Sequence, residues 1–388
     1  MNFQLESLSS LDGIESKDWN ALVPQSSPFL KYEFLRGLEI TKCVGTRQTG
    51  WFPRHLVIRN ASSGAIVAAM PLYEKYDSYG EYIFDWAWAR AAHEANIPYY
   101  PKLVSAIPFT PATCTKLLIH PSAINHQRVL KQTLFQGIRD TTKALQASSV
   151  HILFHPKSEC DDFGPTEFKE RKSFQYHWVK ENHWHSFDDY LQDMRSPARK
   201  MVRRERRIAA SHNLRLRALR GAELTDAHWK ALWEFYQRTA YYKGAISYLT
   251  QSFFRFLKTN LQEYVVATFA ENGSEPIAGS LFFCDGRSLF GRYWGSKLFL
   301  DCMHFELCYY QPIQWAIQNG ITHFETGAQG DHKLKRGFLP RQCYSNHWIK
   351  HPGLARSVYG FLEREALGVE ASIKQIGFHS PFKPRPRT

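Results

Sequence analysis

The segment from Glu325 to Arg336 gathers side chains that can move protons, stabilise an oxyanion and bind anions. Residues Ile321 to Phe324 before it have the β-branched and aromatic bias of a short strand. The polar residues therefore begin where a strand would end, and loops at strand ends often carry function. A glycine-rich turn with solvated charges is the structural alternative. The residues concerned are Glu325, Gly327, Gln329, Gly330, His332, Lys333, Lys335 and Arg336.

A second charged feature is the segment SPARKMVRRERRIAASH, in which the arginines and lysines are opposed only by Glu205. Ser196 as N-cap and Pro197 at the first helical position predict a helix. Arg199, Arg203 and Arg207 would then share one face, because they lie four residues apart. This stripe is a candidate tRNA-binding surface. A solvated helix face is the alternative, since charge runs usually are solvated.

Composition sets the broad class of the protein. The 388 residues are 44% hydrophobic and 15% aromatic, which is enough for sizeable folded cores. The first residues lack the pattern of a signal peptide, and no uncharged apolar run is long enough to span a bilayer, so we expect a cytoplasmic protein. Peripheral membrane contact stays open. The net charge of +13 favours anionic partners. The histidines lack metal-ligand spacing, so no metal site is expected.

Internal similarity indicates how these residues are positioned. The segment SSGAIVAAMPLYEKYDSYGEYIFDWAWA resembles NGSEPIAGSLFFCDGRSLFGRYWGSK, and both look like hairpins of one design. A helical stretch and a strand follow each of them. Helices alternating with strands predict an α/β (α+β) fold with mixed, twisted sheets flanked by helices. We expect two domains, residues 1–185 and residues 186–388, the second opened by the basic helix.

The layout resembles the GNAT superfamily of acyltransferases, in tandem as in its Fem-type branch. Motifs spread over nearly the whole chain include GRYWG, HFELCYYQ and GAQGDHKLKRGF. Together they are similar to the family of Fem-like predicted N-acyltransferases, of the peptidoglycan biosynthesis or recognition type. The resemblance implies tandem GNAT-like domains and transfer of an acyl or aminoacyl group to an amine, with a cell-wall precursor as a candidate acceptor. A non-catalytic binding protein of the same fold, recognising a peptidoglycan precursor or RNA, is the alternative.

Such a transfer needs a base for the amine proton and donors for the oxyanion. Glu325 is the first candidate base, because partial burial would raise the pKa of its carboxyl group. His332 is the second, since imidazole titrates near working pH. Backbone N–H groups at Gly327 and Gly330 and the Gln329 amide are candidate oxyanion donors. An internal ion pair and a loop hydrogen bond are the structural alternatives for the two bases.

Further candidates lie on neighbouring elements. Arg292, Tyr293 and Trp294 end a strand, and we expect Arg292 and Trp294 to face the cleft because strand side chains alternate. His304 and Glu306 open the next helix as further catalytic candidates. Lys333 and Arg336 are expected to contact the anionic donor. An acceptor groove between the halves is expected from the first-half motifs, with buried salt bridges as the alternative; its residues are Glu81, Asp85, Trp86, Tyr100, Lys102, His177 and Trp178.

The helix that begins near Cys302 should be irregular. Pro312 removes one backbone hydrogen bond and should kink or restart the helix. Glu306 is expected to reach Tyr310 at i+4.

The donor is left open between acyl-CoA and aminoacyl-tRNA as co-substrate, and we expect no tightly bound cofactor. Ordinary acetyl-CoA enzymes hold the pyrophosphate with an R/Q-x-x-G-x-G/A loop at a helix start. The segment GRYWGSKLFLDCMHFEL lacks that glycine pair. Coenzyme A is therefore less favoured, and tRNA held by a basic surface stays in contention.

Overall fold

The computed structural model describes residues 2–24, 27–163, 167–327 and 330–384. The candidate residue Gln329 lies outside this range.

The described strands follow the chain in this order: β1 Phe3–Leu8, β2 Trp51–Pro53, β3 His55–Asn60, β4 Ile66–Met70, β5 Tyr73–Lys75, β6 Lys102–Ser105, β7 Leu118–Ile119, β8 Ser149–His155, β9 Lys169–Val179, β10 Arg215–Arg220, β11 Val265–Asn272, β12 Glu275–Cys284, β13 Ser288–Ser296, β14 His323–Glu325 and β15 Leu339–Ile349. The α-helices are α1 Ser16–Asn20, α2 Tyr32–Ile40, α3 Trp86–Glu94, α4 Gln127–Ala144, α5 Cys160–Phe163, α6 Phe187–Asp193, α7 Ser196–Ala210, α8 Asp226–Tyr242, α9 Gln251–Asn260, α10 Met303–Phe305, α11 Gln311–Gln318 and α12 Pro352–Phe378. A π-helical segment covers Glu306–Tyr310, and a 3₁₀ turn covers Asp331–Arg336.

The chain divides into two compact units. The first comprises Met1–Phe174 and Gln342–Ser372, and the second comprises Gln175–Arg341 and Ile373–Thr388. The domain boundary expected between residues 185 and 186 stays a prediction.

The first unit contains an antiparallel sheet with strand order β1-β3-β4-β7. Helix α4 covers this sheet, and Leu130 and Leu134 join Leu56, Ile58 and Met70 in one buried cluster. A second run of strands in this unit has the order β15-β8-β6-β5-β2, in which β6 and β8 are parallel.

The second unit has the strand order β10-β11-β12-β13-β14-β9. Strands β11 and β12 are almost entirely buried, as expected for strands covered on both faces. Strands β13 and β14 run parallel, and the other described neighbours in this sheet run antiparallel. The short strand β14 therefore delivers its last residue, Glu325, to one end of the sheet.

The predicted α/β class is confirmed, and so is the second hairpin, formed by β12 and β13. The prediction of a matching first hairpin is wrong, because β4 and β5 belong to different sheets and residues 80–85 form no strand. The aromatic run there has strand propensity, but Gly80 and Tyr82 adopt positive φ angles of 77° and 63°. Trp86 then begins α3. Tertiary packing has therefore overridden the local strand propensity of these residues.

The basic helix α7 forms as predicted, with one correction at its start. The N-cap is Arg195, without a side-chain cap, and Ser196 is already helical. Helix ends are the least certain part of any prediction from sequence.

Among the described residues, no helix combines the length and the hydropathy that a bilayer crossing requires.

Candidate active site

Strand β14 positions the polar loop in the second unit. Phe324 is fully buried, with its ring 5.8 Å from that of Phe282 and 5.2 Å from that of Phe338. These contacts hold β14 in register between its two neighbouring strands. Its last residue, Glu325, lies opposite Phe290 of β13 on one side and opposite His177 of β9 on the other. The loop therefore leaves the sheet from a rigid support.

Lys333 holds the loop in shape. Its ammonium donates to the carbonyl oxygens of Thr326 and Gly327, each at 3.0 Å, and the residue is 3% exposed. Burial, assisted by Lys243, lowers the pKa of Lys333 to about 8. The charge is thus directed inward onto backbone oxygens, and an anion contact by Lys333 stays a prediction.

Both the backbone conformation at position 330 and the lack of room for a Cβ atom there favour glycine. Its φ angle is +113°, which side-chain-bearing residues rarely adopt. A Cβ atom at this position would lie 2.8 Å from Cε1 of His332 and 3.2 Å from Cε of Lys333. Gly327 also has a positive φ, of 74°. The missing Cβ of Gly330 lets the turn approach the His332 ring closely.

His332 is exposed, and its ring is oriented by Tyr309. Nε2 lies 2.9 Å from the Tyr309 hydroxyl, which is itself buried and packed 5.4 Å from the Phe338 ring. Partial burial, followed by the charges of Arg336 and Lys333, lowers the pKa of His332. The imidazole is therefore neutral near pH 7. In the tautomer where Nε2 donates to Tyr309, Nδ1 carries the free lone pair that a base needs.

A second histidine and a tryptophan form a wall beside His332. The His304 ring lies 6.0 Å from that of His332 and 5.1 Å from that of Trp294. Burial, then the neighbouring His332, lowers the pKa of His304 to about 3, so it too is neutral. Tyr293 packs 4.7 Å from Tyr236 of α8. The structure thus gathers Trp294, His304 and His332, which are far apart in sequence.

Arg336 is buried rather than presented to a ligand. Its guanidinium donates to both carboxylate oxygens of Glu205 on α7 and, at 2.7 Å, to the carbonyl of His332. The group also stacks 3.4 Å over the Phe305 ring. Sequence reasoning assigned Glu205 no role, although it is the lone carboxylate within a run of arginines. Donor binding by Arg336 stays a prediction.

The helix after β13 changes register next to this site. Residues Glu306–Tyr310 are π-helical, and the N–H of Gln311 bonds to the carbonyl five residues back. In that register Pro312 should donate to the carbonyl of Leu307, but proline has no N–H. The Thr268 hydroxyl supplies the missing bond at 2.6 Å. The predicted interruption at Pro312 is confirmed, and such π segments are frequent at functional sites.

The predicted Glu306–Tyr310 contact is wrong. The Glu306 carboxylate instead accepts hydrogen bonds from Arg206 at 3.2 Å and from Gln311 at 2.9 Å, while Tyr310 donates to Glu205. The π register moves the side-chain neighbour from i+4 to i+5, which explains the error. Glu306 is 1% exposed, and burial raises its pKa.

Glu325 is half-buried beside His177. Their closest atoms, Oε1 and Nδ1, are 4.0 Å apart. Burial, then the charge of Arg341, lowers the pKa of His177 to about 4, so this contact is not an ion pair near neutral pH. Trp178 is fully buried against Trp184, with ring centroids 5.8 Å apart.

Comparison with known proteins identifies the family. A family model described as peptidoglycan biosynthesis/recognition, FemAB-like, matches residues 10–384. This chain belongs to the FemAB-like family. No curated protein matches the sequence significantly.

Solved structures show the fold that this FemAB-like chain shares. FemX is 11% identical, with a TM-score of 0.52 over 92% of this chain and 100% of that one. The C-terminal domain of a putative lysylphosphatidylglycerol synthetase from Agrobacterium fabrum is 7% identical, with a TM-score of 0.53 over 88% of this chain and 93% of that one. A protein of unknown function from Bacteroides thetaiotaomicron is 9% identical, with a TM-score of 0.50 over 89% of this chain and 100% of that one. The likeness to FemX confirms the Fem-type fold.

The first unit of this FemAB-like protein carries a buried charge cluster. Lys102 is fully buried, and its ammonium lies 2.9 Å from Glu81 and 2.5 Å from Asp85. Burial raises the pKa of Glu81 to about 7. Tyr100 reaches the same ammonium through Ser78, with which both bond. The predicted acceptor groove at these residues stays a prediction, since their described contacts are buried ion pairs.

Arg292 is half-buried, whereas Trp86 and the arginine stripe of α7 lie mostly at the surface. Trp86 is 48% exposed at the start of α3. On α7, Arg203 and Arg207 are exposed and Arg199 is half-buried. The stripe therefore offers its charge to solvent, and tRNA binding there stays a prediction.

Proposed function

We propose that the protein is an N-acyltransferase that moves an acyl or aminoacyl group from an activated donor to an amine. The observation that carries this proposal is the imidazole of His332, which is exposed at a glycine-rich turn and oriented by Tyr309, and whose pKa is lowered by partial burial. Membership of a family described by peptidoglycan biosynthesis/recognition supports a cell-wall precursor as the acceptor.

In the proposed reaction the amine nitrogen attacks the carbonyl carbon of the donor. His332 removes the amine proton as the new C–N bond forms, and Glu325, the first candidate from the sequence, is the alternative base. Backbone N–H groups near Gly327 and Gly330 stabilise the oxyanion. Breaking the C–S or C–O bond of the donor then releases a thiolate or a ribose oxygen, to which the proton passes.

We propose aminoacyl-tRNA ahead of acyl-CoA as the donor, because Arg203 and Arg207 present exposed charge on α7. Reversing Arg199, Arg203 and Arg207 together should weaken tRNA binding and reduce the slope of log K against log salt by roughly two to three. Unchanged binding would leave acyl-CoA as the favoured donor.

The test is mass spectrometry of amine acceptors, including cell-wall precursor peptides, after incubation with aminoacyl-tRNA and acyl-CoA pools. His332→Gln should slow transfer by roughly 10²- to 10⁴-fold and remove the acid limb of the pH–rate profile. Glu325→Gln tests the second base in the same assay. His183→Gln is the matched control, since His183 is an exposed histidine of the same unit. Full activity of both base variants would remove this site from the proposal.

A non-catalytic binding protein is the second candidate. The observation that favours it is that Lys333 and Arg336, two cations of the loop, are bound to internal partners, as in a purely structural turn. Binding of a precursor without any mass shift of acceptor or donor would favour this alternative.

A further inference from the structure

The second unit exposes a group of large apolar side chains at one place on its surface. Phe299 is 97% exposed, Tyr241 83%, Tyr242 72% and Leu298 59%. Exposed apolar groups of this size, when adjacent, mark an interaction surface. We call these four residues the docking tip.

The four residues come from two elements that hydrogen bonds hold together, and the Tyr241 and Tyr242 rings lie 5.9 Å apart. Tyr241 and Tyr242 end α8, and Leu298 and Phe299 follow β13. The Arg238 guanidinium joins the two pieces, since it donates to the Lys297 carbonyl at 3.1 Å and to the Tyr242 hydroxyl at 3.4 Å.

The backbone beneath the tip is closely packed. Thr239 donates to the carbonyl of Trp294 at 2.6 Å. A Cβ atom at Gly295 would lie 2.3 Å from the Phe235 carbonyl, so α8 and β13 approach as closely as a glycine permits. The tip therefore projects from a rigid base.

Basic groups surround the tip. Arg238 and Lys243 are exposed, and Lys297 is paired with Glu275 at 2.7 Å. His212, just after α7, contacts the carbonyl of Asp301, which places the end of the basic helix beside the same loop. Among the described residues, Glu275 and Asp301 are carboxylates at the same loop, and the three cations Arg238, Lys243 and Lys297 outnumber them.

We propose that the docking tip inserts into the interface of an anionic lipid bilayer. Phenylalanine and leucine bury readily at the acyl boundary, tyrosine prefers the headgroup level, and flanking arginine and lysine are attracted to anionic lipids. A single-stranded nucleic acid fits less well. Such strands are held in a groove with aromatic stacking platforms, whereas Leu298 offers no ring and Phe299 projects almost wholly into solvent.

Docking at this tip gives the candidate active site a location relative to the membrane. Trp294, five residues before Phe299, packs 5.1 Å from the His304 ring. The loop containing His332 would therefore work close to the bilayer surface. The docking itself does not depend on the transferase proposal.

The experiment is co-sedimentation of the full chain with vesicles of phosphatidylglycerol and phosphatidylcholine, compared with phosphatidylcholine alone. The wild type should bind the anionic vesicles preferentially. The double variant Leu298→Ser/Phe299→Ser should weaken binding roughly tenfold or more. Lys243→Gln should weaken it roughly fivefold and reduce its salt dependence. Phe378→Ser is the matched control, because Phe378 is 79% exposed on α12 and should not affect binding.

Three outcomes would overturn the inference. The wild type could fail to bind anionic vesicles, or the double variant could bind as tightly as the wild type while circular dichroism shows both folded. The third is binding of single-stranded RNA through these residues without vesicle binding. Transfer to a soluble acceptor, measured on the double variant, keeps this test separate from that of the proposed reaction, since neither residue belongs to the catalytic loop.

Discussion

Replacing Lys333 by methionine should change how the stability of the protein depends on pH. Methionine fills a similar volume but carries no charge. Burial lowers the pKa of the Lys333 ammonium from 10.5 to about 8. Between these two pH values the unfolded chain holds a proton that the folded chain has lost, so the stability of the wild type rises with pH. The full difference is about 3 kcal/mol at roughly 1.4 kcal/mol for each pH unit.

The assay is urea unfolding of the wild type and Lys333→Met at about pH 7.5 and about pH 9.5. Relative to the variant, the wild type should gain about 2 kcal/mol between these conditions. Lys335→Met controls for removal of a positive charge from the same turn, because Lys335 is exposed. A stability difference between wild type and Lys333→Met that does not change with pH would refute the reasoning.

Three further changes test the contacts around the site. Arg336→Lys should lower the free energy of unfolding by about 2 kcal/mol, because lysine cannot reproduce the bidentate hydrogen bond to Glu205. An unchanged urea midpoint would contradict this expectation. Gly330→Ala should lower the melting temperature through a cost of about 1–3 kcal/mol, since its φ is +113° and its Cβ would strike His332. The pKa of His304 is about 3, so between about pH 6.5 and about pH 5 only the unfolded chain takes up a proton at this residue. The free energy of unfolding of the wild type should therefore fall by about 2 kcal/mol relative to that of His304→Asn over this range. Equal pH dependence of the two unfolding free energies would argue against a buried neutral imidazole.

Much of the local structure could be predicted from the sequence. The helical stretch and the strand expected after the first of the two similar segments are α4 and β8, and the interruption expected at Pro312 separates the π segment from α11. These features depend on hydrophobic periodicity and on the missing proline N–H, which are properties of short stretches of chain.

The position and composition of the candidate loop could also be read from the sequence, but the contacts within the loop could not. Its composition indicated a base and close backbone approach, whereas the structure shows that Lys333 binds two carbonyl oxygens and that Arg336 binds Glu205. Glu205 and Arg336 are separated by 131 positions, so no local pattern relates them.

The sequence by itself determined the family, the α/β class, the basic helix α7, the hairpin of β12 and β13, and the residue types at the end of β14. Only the tertiary structure decided that His304 and Trp294 stand beside His332, that Glu306 faces Arg206 rather than Tyr310, and that the first hairpin does not form. The physical reason is the distance along the chain over which each effect acts. Propensity and periodicity act over a few residues, whereas burial, register changes and ion pairing depend on which distant side chains meet when the core is packed.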